Sequence, residues 1–138
     1  LNSGNFSITS TGSGDFESDN ITVGNGMISA VITGSGDIEF GGISAGALSL
    51  SVTGSGDIDC SNVSINDCNV NSTGSGDVEI SGSAKNANLS SYGSGDSYAA
   101  KFKVENGRVT ASGSGDIVCN ILNIVKHESG SGSISNRQ

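Results

Sequence analysis

Aspartate recurs at Asp15, Asp37, Asp57, Asp77, Asp96 and Asp116, and two residues further on stand Glu17, Glu39, Asp59 and Glu79. If equivalent positions stack, the first four repeats put eight carboxylates on one face. Such a face suggests two chemistries. Oxygen ligands suit a hard cation such as calcium, with Asp37, Glu39, Asp57, Asp59, Asp77 and Glu79 as the candidate set. Paired carboxylates can also hydrolyse a glycosidic bond. A plainer role competes with both: an aspartate beside glycine accepts backbone N–H groups and closes a turn. Like charges about 4.8 Å apart repel by roughly 1 kcal/mol in water, so backbone donors or a cation must offset the ladder.

The surrounding phrase decides between these readings. It reads TGSGDFE from Thr11, TGSGDIE from Thr33, TGSGDID from Thr53 and TGSGDVE from Thr73, then weakens to YGSGDSY, SGSGDIV and SGSGSIS. Its first glycines are Gly12, Gly34, Gly54, Gly74, Gly93, Gly113 and Gly130, nearly evenly spaced until the step shortens at the end. A period of roughly 20 residues is the mark of a solenoid with one coil per repeat. The calcium-binding nonapeptide GGxGxDxUx recurs twice in each coil and builds a two-sided cage. Here half of it occurs once per coil, so turn closure is expected at Gly34, Gly36 and Asp37, at Gly54, Gly56 and Asp57, and at Gly74, Gly76 and Asp77. No cofactor is expected, with calcium the alternative. The short repeats leave no room for the loops that shape a glycosidase cleft. His127 is the sole histidine and has no spacing that builds a nucleophilic triad.

The apolar residues supply the frame for these corners. Four residues after each first glycine stand Phe16, Ile38, Ile58, Val78, Ser97, Ile117 and Ile134; two further on stand Ser18, Phe40, Cys60, Ile80, Ala99, Cys119 and Asn136. Nine after it stand Ile21, Ile43, Val63, Ser83, Phe102 and Leu122. Before the corner, alternate columns begin Phe6, Ile28, Leu48, Cys68 and Ile8, Ala30, Leu50, Val70, and a third runs from Ser10 through Ile32 and Val52. Period two marks strands with one face inward. The expectation is all-β: a single right-handed parallel β-helix over residues 1–138, of about six to seven coils, with equivalent residues paired. In the last coil Lys126 and Glu128 fall in inward columns, which predicts a slip of one residue that buries Val125 instead.

Composition narrows the partners. The net charge of −8, with 14 acidic against 6 basic residues, argues against nucleic acid and anionic membranes. The sequence holds no apolar run long enough to span a membrane, so no insertion is expected. No signal segment is visible, and Leu1 reads as the start of a mature or trimmed chain. Cys60, Cys68 and Cys119 are an odd number without metal spacing, and read as buried, reduced small hydrophobes. The outward residues before the corner, among them Ser29, Ser49, Ser51, Asn69, Asn71, Asn88 and Ser90, form a nearly uncharged carpet of hydrogen-bonding groups. It suits a protein or glycan surface, or self-association through a flat face. Ice binding is a weaker reading, because a two-threonine ladder is absent.

Phrase and period together resemble the head GIN domain family. The likeness is clearest in GALSLSVTGSGDIDCSNVSINDCNVNSTGSGDVEISGSAKNANLSSYGSGD, residues 46–96, and the ending SGSGDIVCNILNIVKHESGSGSIS resembles that family's last turns. Ser133 stands where the phrase calls for aspartate. The resemblance implies the head of an autotransporter adhesin: a β-helix without catalytic residues, extracellular, at the cell surface or in the periplasm. The expected function is a non-enzymatic exported adhesion or interaction module. The alternatives are a calcium-stabilised spacer and, behind it, a polysaccharide-acting enzyme or an ice-binding solenoid.

Overall fold

The computed structural model describes residues 5–136, so Leu1 lies outside the described residues. Alternating apolar residues between glycine corners produce β1 (Asn5–Gly12), β2 (Phe16–Thr22), β3 (Met27–Gly34), β4 (Ile38–Ser44) and β5 (Ala47–Gly54). From the third GSGD corner onward the strand runs through the second corner of the coil. This gives β6 (Ile58–Gly74), β7 (Val78–Ser91), β8 (Ser97–Ala111) and β9 (Ile117–Glu128), closed by β10 (Ile134–Asn136). Hydrogen bonding follows the order β1-β3-β5-β6-β7-β8-β9-β10, with β2 on β4 and β4 on β6, and every pairing is parallel. The result is a β-solenoid of about 7 turns.

The register before each corner follows the sequence alignment without a break. Phe6, Ile28, Leu48, Cys68, Ala87, Gly107 and Ile124 pair in succession, as do Ile8, Ala30, Leu50, Val70, Leu89, Val109 and Lys126. Each inward side chain packs on its equivalent in the next coil, so burial is nearly complete from Ile28 to Ile121. Burying one such leucine or isoleucine stabilises by about 2 kcal/mol. Where the column before the corner turns polar, the hydroxyl is satisfied locally. Ser10, Ser72 and Ser91 donate to the carbonyls of Gly14, Gly76 and Gly95 at 2.9, 3.3 and 3.3 Å.

After the corner the alignment drifts, and three expectations are corrected. Val63 pairs with Gly82 and Gly82 with Phe102, so Ser83 sits on the exposed side. The cause is a bulge: Ser61 and Asn62 stand opposite the single residue Ser81, with Asn62 at φ 54. A further shortening falls between β8 and β9, so Leu122, expected to follow Phe102, leaves the inward side, and Ile121 pairs with Val104 and is buried. Leu122 is 68% exposed. The predicted slip in the last coil does not occur either: Arg108 pairs with Val125, which is 59% exposed, and Val109 pairs with Lys126. Lys126 and Glu128 keep inward register yet are exposed, because β10 covers only Ile117–Cys119. The Glu128 carboxylate instead accepts the Ile134 N–H at 2.8 Å and holds the closing strand.

A further inward column escaped the sequence reading: Val23, Ala45, Ile65, Ala84, Val104 and Ile121. Val23, Ala45, Ile65 and Val104 share one offset from their corner glycines, whereas Ala84 and Ile121 fall short of it because of the bulge and of the shortening between β8 and β9.

Candidate functional site

Each GSGD corner is a set of bonds between coils. Gly34 O accepts the N–H groups of Ser55 and Gly56, both at 3.0 Å, and Gly54 O accepts those of Ser75 and Gly76 at 2.9 and 3.1 Å. Gly34, Gly54 and Gly74 adopt φ of 118, 116 and 116°, a region that excludes most other residues. Gly36, Gly56 and Gly76 are required for a different reason. A Cβ on Gly56 would run into the carbonyl oxygen of Gly36 and lie 2.7 Å from Ile32 Cγ2.

The aspartates complete the corner, but across coils rather than within one turn. The N–H of Asp37 donates to Asp15 Oδ1 at 3.0 Å, that of Asp57 to Asp37 at 2.9 Å and that of Asp77 to Asp57 at 2.8 Å. Asp96 and Asp116 extend the series, each N–H reaching the preceding carboxylate at 2.8 Å. Ser133 ends it: its N–H and hydroxyl both donate to Asp116 Oδ1, at 3.0 and 3.2 Å, and it offers no carboxylate onward. Charge-assisted acceptance of a backbone donor offsets the repulsion along the ladder.

The second acidic column also lies in register, Glu17 on Glu39, Glu39 on Asp59 and Asp59 on Glu79. Tyr98 continues it, and its hydroxyl donates to Asp96 Oδ2 at 3.0 Å. That bond, with the negative charges of Asp96, Asp77 and Asp116, raises the phenol above its ordinary pKa. Among the described residues no three histidine, cysteine, aspartate or glutamate side chains gather as a metal-holding group. His127, paired with Thr110 on the last full coil, is exposed.

The thiols are inside. Cys60, Cys68 and Cys119 are free and buried, as the inward columns required. Burial raises all three thiol pKa values; Cys68 is pushed up to about 12, and Cys60 is raised further by burial and by its neighbours Cys68 and Asp59.

The exterior feature that sequence reasoning missed is a row of side-chain amides. Seven residues before the corner glycines stand Asp67, Asn86, Asn106 and Asn123, all exposed and paired in register. Asn86 Nδ2 donates to Asp67 Oδ1 at 3.0 Å, Asn106 to Asn86 Oδ1 at 3.4 Å and Asn123 to Asn106 Oδ1 at 3.1 Å. The same offset count that gave the core columns would have found them. They form one lip of a groove of about 1220 Å³ that crosses β3, β5, β6, β7, β8 and β9, with Asn69, Asn88 and Arg108 on its other side. Met27 lies toward one end, Leu122 and Val125 toward the other.

A parallel solenoid whose interior is filled and whose polar residues form exterior ladders is a repeat scaffold with its chemistry on its surface. The model of the family described as "Putative auto-transporter adhesin, head GIN domain" matches residues 1–80 and 29–137, and the chain belongs to this family. No curated protein and no solved structure matches the chain.

Proposed function

We propose that the chain is a non-enzymatic adhesion or interaction module of an exported protein, working outside the cell, at its surface or in the periplasm. The closed interior carries this reading. Inward columns pack coil on coil, and among the described residues no buried side-chain nitrogen or oxygen lacks a partner. Recognition therefore falls to the exterior, where the amide-lined groove and the Ser/Asn face offer hydrogen-bonding groups to a protein or glycan surface. Family membership supports adhesion as the purpose of that exterior.

The test is direct. Beads coated with the chain should adhere to bacterial or host-cell surfaces that uncoated beads leave bare, and soluble chain should compete. Equal adhesion of coated and uncoated beads across such surfaces would remove the proposal. A second reading, a stiff spacer held by calcium, is favoured by the in-register columns of Asp37, Asp57 and Asp77 beside Glu39, Asp59 and Glu79. A calcium-dependent rise in melting temperature would support it.

A further inference from the structure

We propose that the groove beside the amide ladder holds a linear neutral polysaccharide laid along the solenoid axis, with about one sugar for each coil. This rests on the adhesion reading and names the ligand class.

Shape gives the first argument. The groove runs across six successive rungs, from β3 to β9, at right angles to the strands. Its occupant is therefore a linear polymer rather than a compact molecule. The repeat gives the second. Amides on successive coils recur every 4.8 Å or so, whereas an extended peptide steps about 3.3 Å per residue. A peptide drifts out of step with the ladder within a few coils. A pyranose ring in an extended glycan advances by about one coil spacing and presents hydroxyls at every step.

The third argument is the unspent half of each amide. Asn86 and Asn106 each donate one Nδ2 hydrogen and accept one bond on Oδ1 within the ladder. An amide has a second hydrogen and a second lone pair. A sugar hydroxyl is donor and acceptor at once and meets both. Asn69 and Asn88 add two more exposed amides across the groove. Charge gives the fourth. Among the described residues, Asp67 and Arg108 are the charged ones that line the groove; they are opposite in sign, while the whole chain carries −8. A neutral polymer meets no penalty there, and a polyanion is repelled. Met27, Leu122 and Val125 leave apolar surface at the ends for the C–H faces of the rings.

Titration calorimetry tests this on the intact chain. The probes are β-1,4-linked hexasaccharides of glucose, mannose and xylose, with hexagalacturonate as the anionic control. At least one neutral hexasaccharide should bind, more tightly than its own disaccharide and with little salt dependence. The double variant Asn86→Ala/Asn106→Ala should weaken it by about tenfold or more, as expected for two lost hydrogen bonds. Asn88→Trp, which leaves the ladder intact and fills the groove, should do the same with an unchanged melting curve. Asn71→Ala, on the neighbouring outward column, should bind as the parent does. No neutral binding, a preference for hexagalacturonate, or affinity untouched by Asn88→Trp would overturn the proposal. If coated beads still adhere while no neutral oligosaccharide binds, the ligand class is wrong and the adhesion reading stands. If beads fail to adhere as well, both are wrong.

Discussion

At the scale of single residues, the corner aspartates act as hydrogen-bond acceptors between coils. Asp57 shows how this can be measured, since its Oδ1 takes the Asp77 N–H at 2.8 Å while its own N–H reaches Asp37. Asp57→Asn keeps an acceptor oxygen in place and relieves repulsion from neighbouring carboxylates. Asp57→Ala removes the acceptor. Urea melts should place Asp57→Asn within a few tenths of a kcal/mol of the parent and Asp57→Ala about 1 kcal/mol below it. Equal losses in both would mean that charge, rather than the acceptor, matters at the corner. The thiols give a second residue-scale prediction. Cys60, Cys68 and Cys119 are buried and their thiol pKa values are raised, so the reactive thiolate is scarce even in mildly alkaline buffer. Native protein should react slowly with a thiol reagent and incorporate three equivalents only in denaturant. Rapid native labelling of all three would contradict their inward placement.

At the scale of the strand, stability resides in the ladders of like side chains. Leu50, Val70 and Leu89 stack in register, and Val70 is 1% exposed. Val70→Asp places an unpaired carboxylate between two apolar rungs, at a cost of several kcal/mol, comparable to the whole stability of a small domain. Circular dichroism should show the strand signal lost or its melting temperature sharply lowered; a parent-like melt would show that the register is wrong. That ladder could be read directly from the amino acids, because the segment before each corner never changes length. The stretch ahead of each GSG aligns in every repeat and its columns pair throughout, even in the last coil, where Lys126 and Glu128 predict a slip that does not occur. Beyond Ile80 legibility fails for a physical reason. A parallel coil can gain or lose residues at a bulge or corner without disturbing its flanks, and counting from a glycine cannot locate the deletion. Hence the offset puts Ser83 in the inward place that Gly82 occupies and puts Leu122 after Phe102, whereas Leu122 is exposed and Ile121 pairs with Val104. Asn136 was hidden for a related reason. Placed in an apolar column by its offset, it instead uses its amide to accept from the Ile121 N–H and donate to the Ile121 carbonyl, at 2.7 and 2.8 Å. The amide ladder of the groove was legible by offset, but a search for apolar periodicity passes over Asn86, Asn106 and Asn123.

At the scale of the whole molecule, the question is what stabilises a rod that carries most of its acidic residues on one face. No lysine or arginine precedes Lys85, so the acidic columns of the first three repeats have no basic residue within their own coils. The Asp column is offset by backbone donors from the next coil. The Glu39, Asp59 and Glu79 column stands outward beside it. If the donors suffice, calcium and magnesium at equal ionic strength should raise the melting temperature alike and slightly, by screening. If calcium sits between coils, millimolar calcium should raise it selectively by mass action, and chelation should reverse the shift. Magnesium would then fail, since it demands tighter octahedral geometry. The triple variant Glu39→Gln/Asp59→Asn/Glu79→Gln separates the cases further. On the donor reading it removes repulsion of roughly 1 kcal/mol per adjacent pair in water, less after screening, and the rod melts at the same temperature or higher. On the calcium reading it abolishes the selective response. The bonds from each Asp N–H to the carboxylate below favour the donor reading, and a small shift indifferent to the cation is the expected result. A calcium-selective rise of many degrees, lost in the triple variant, would instead establish the spacer held by calcium.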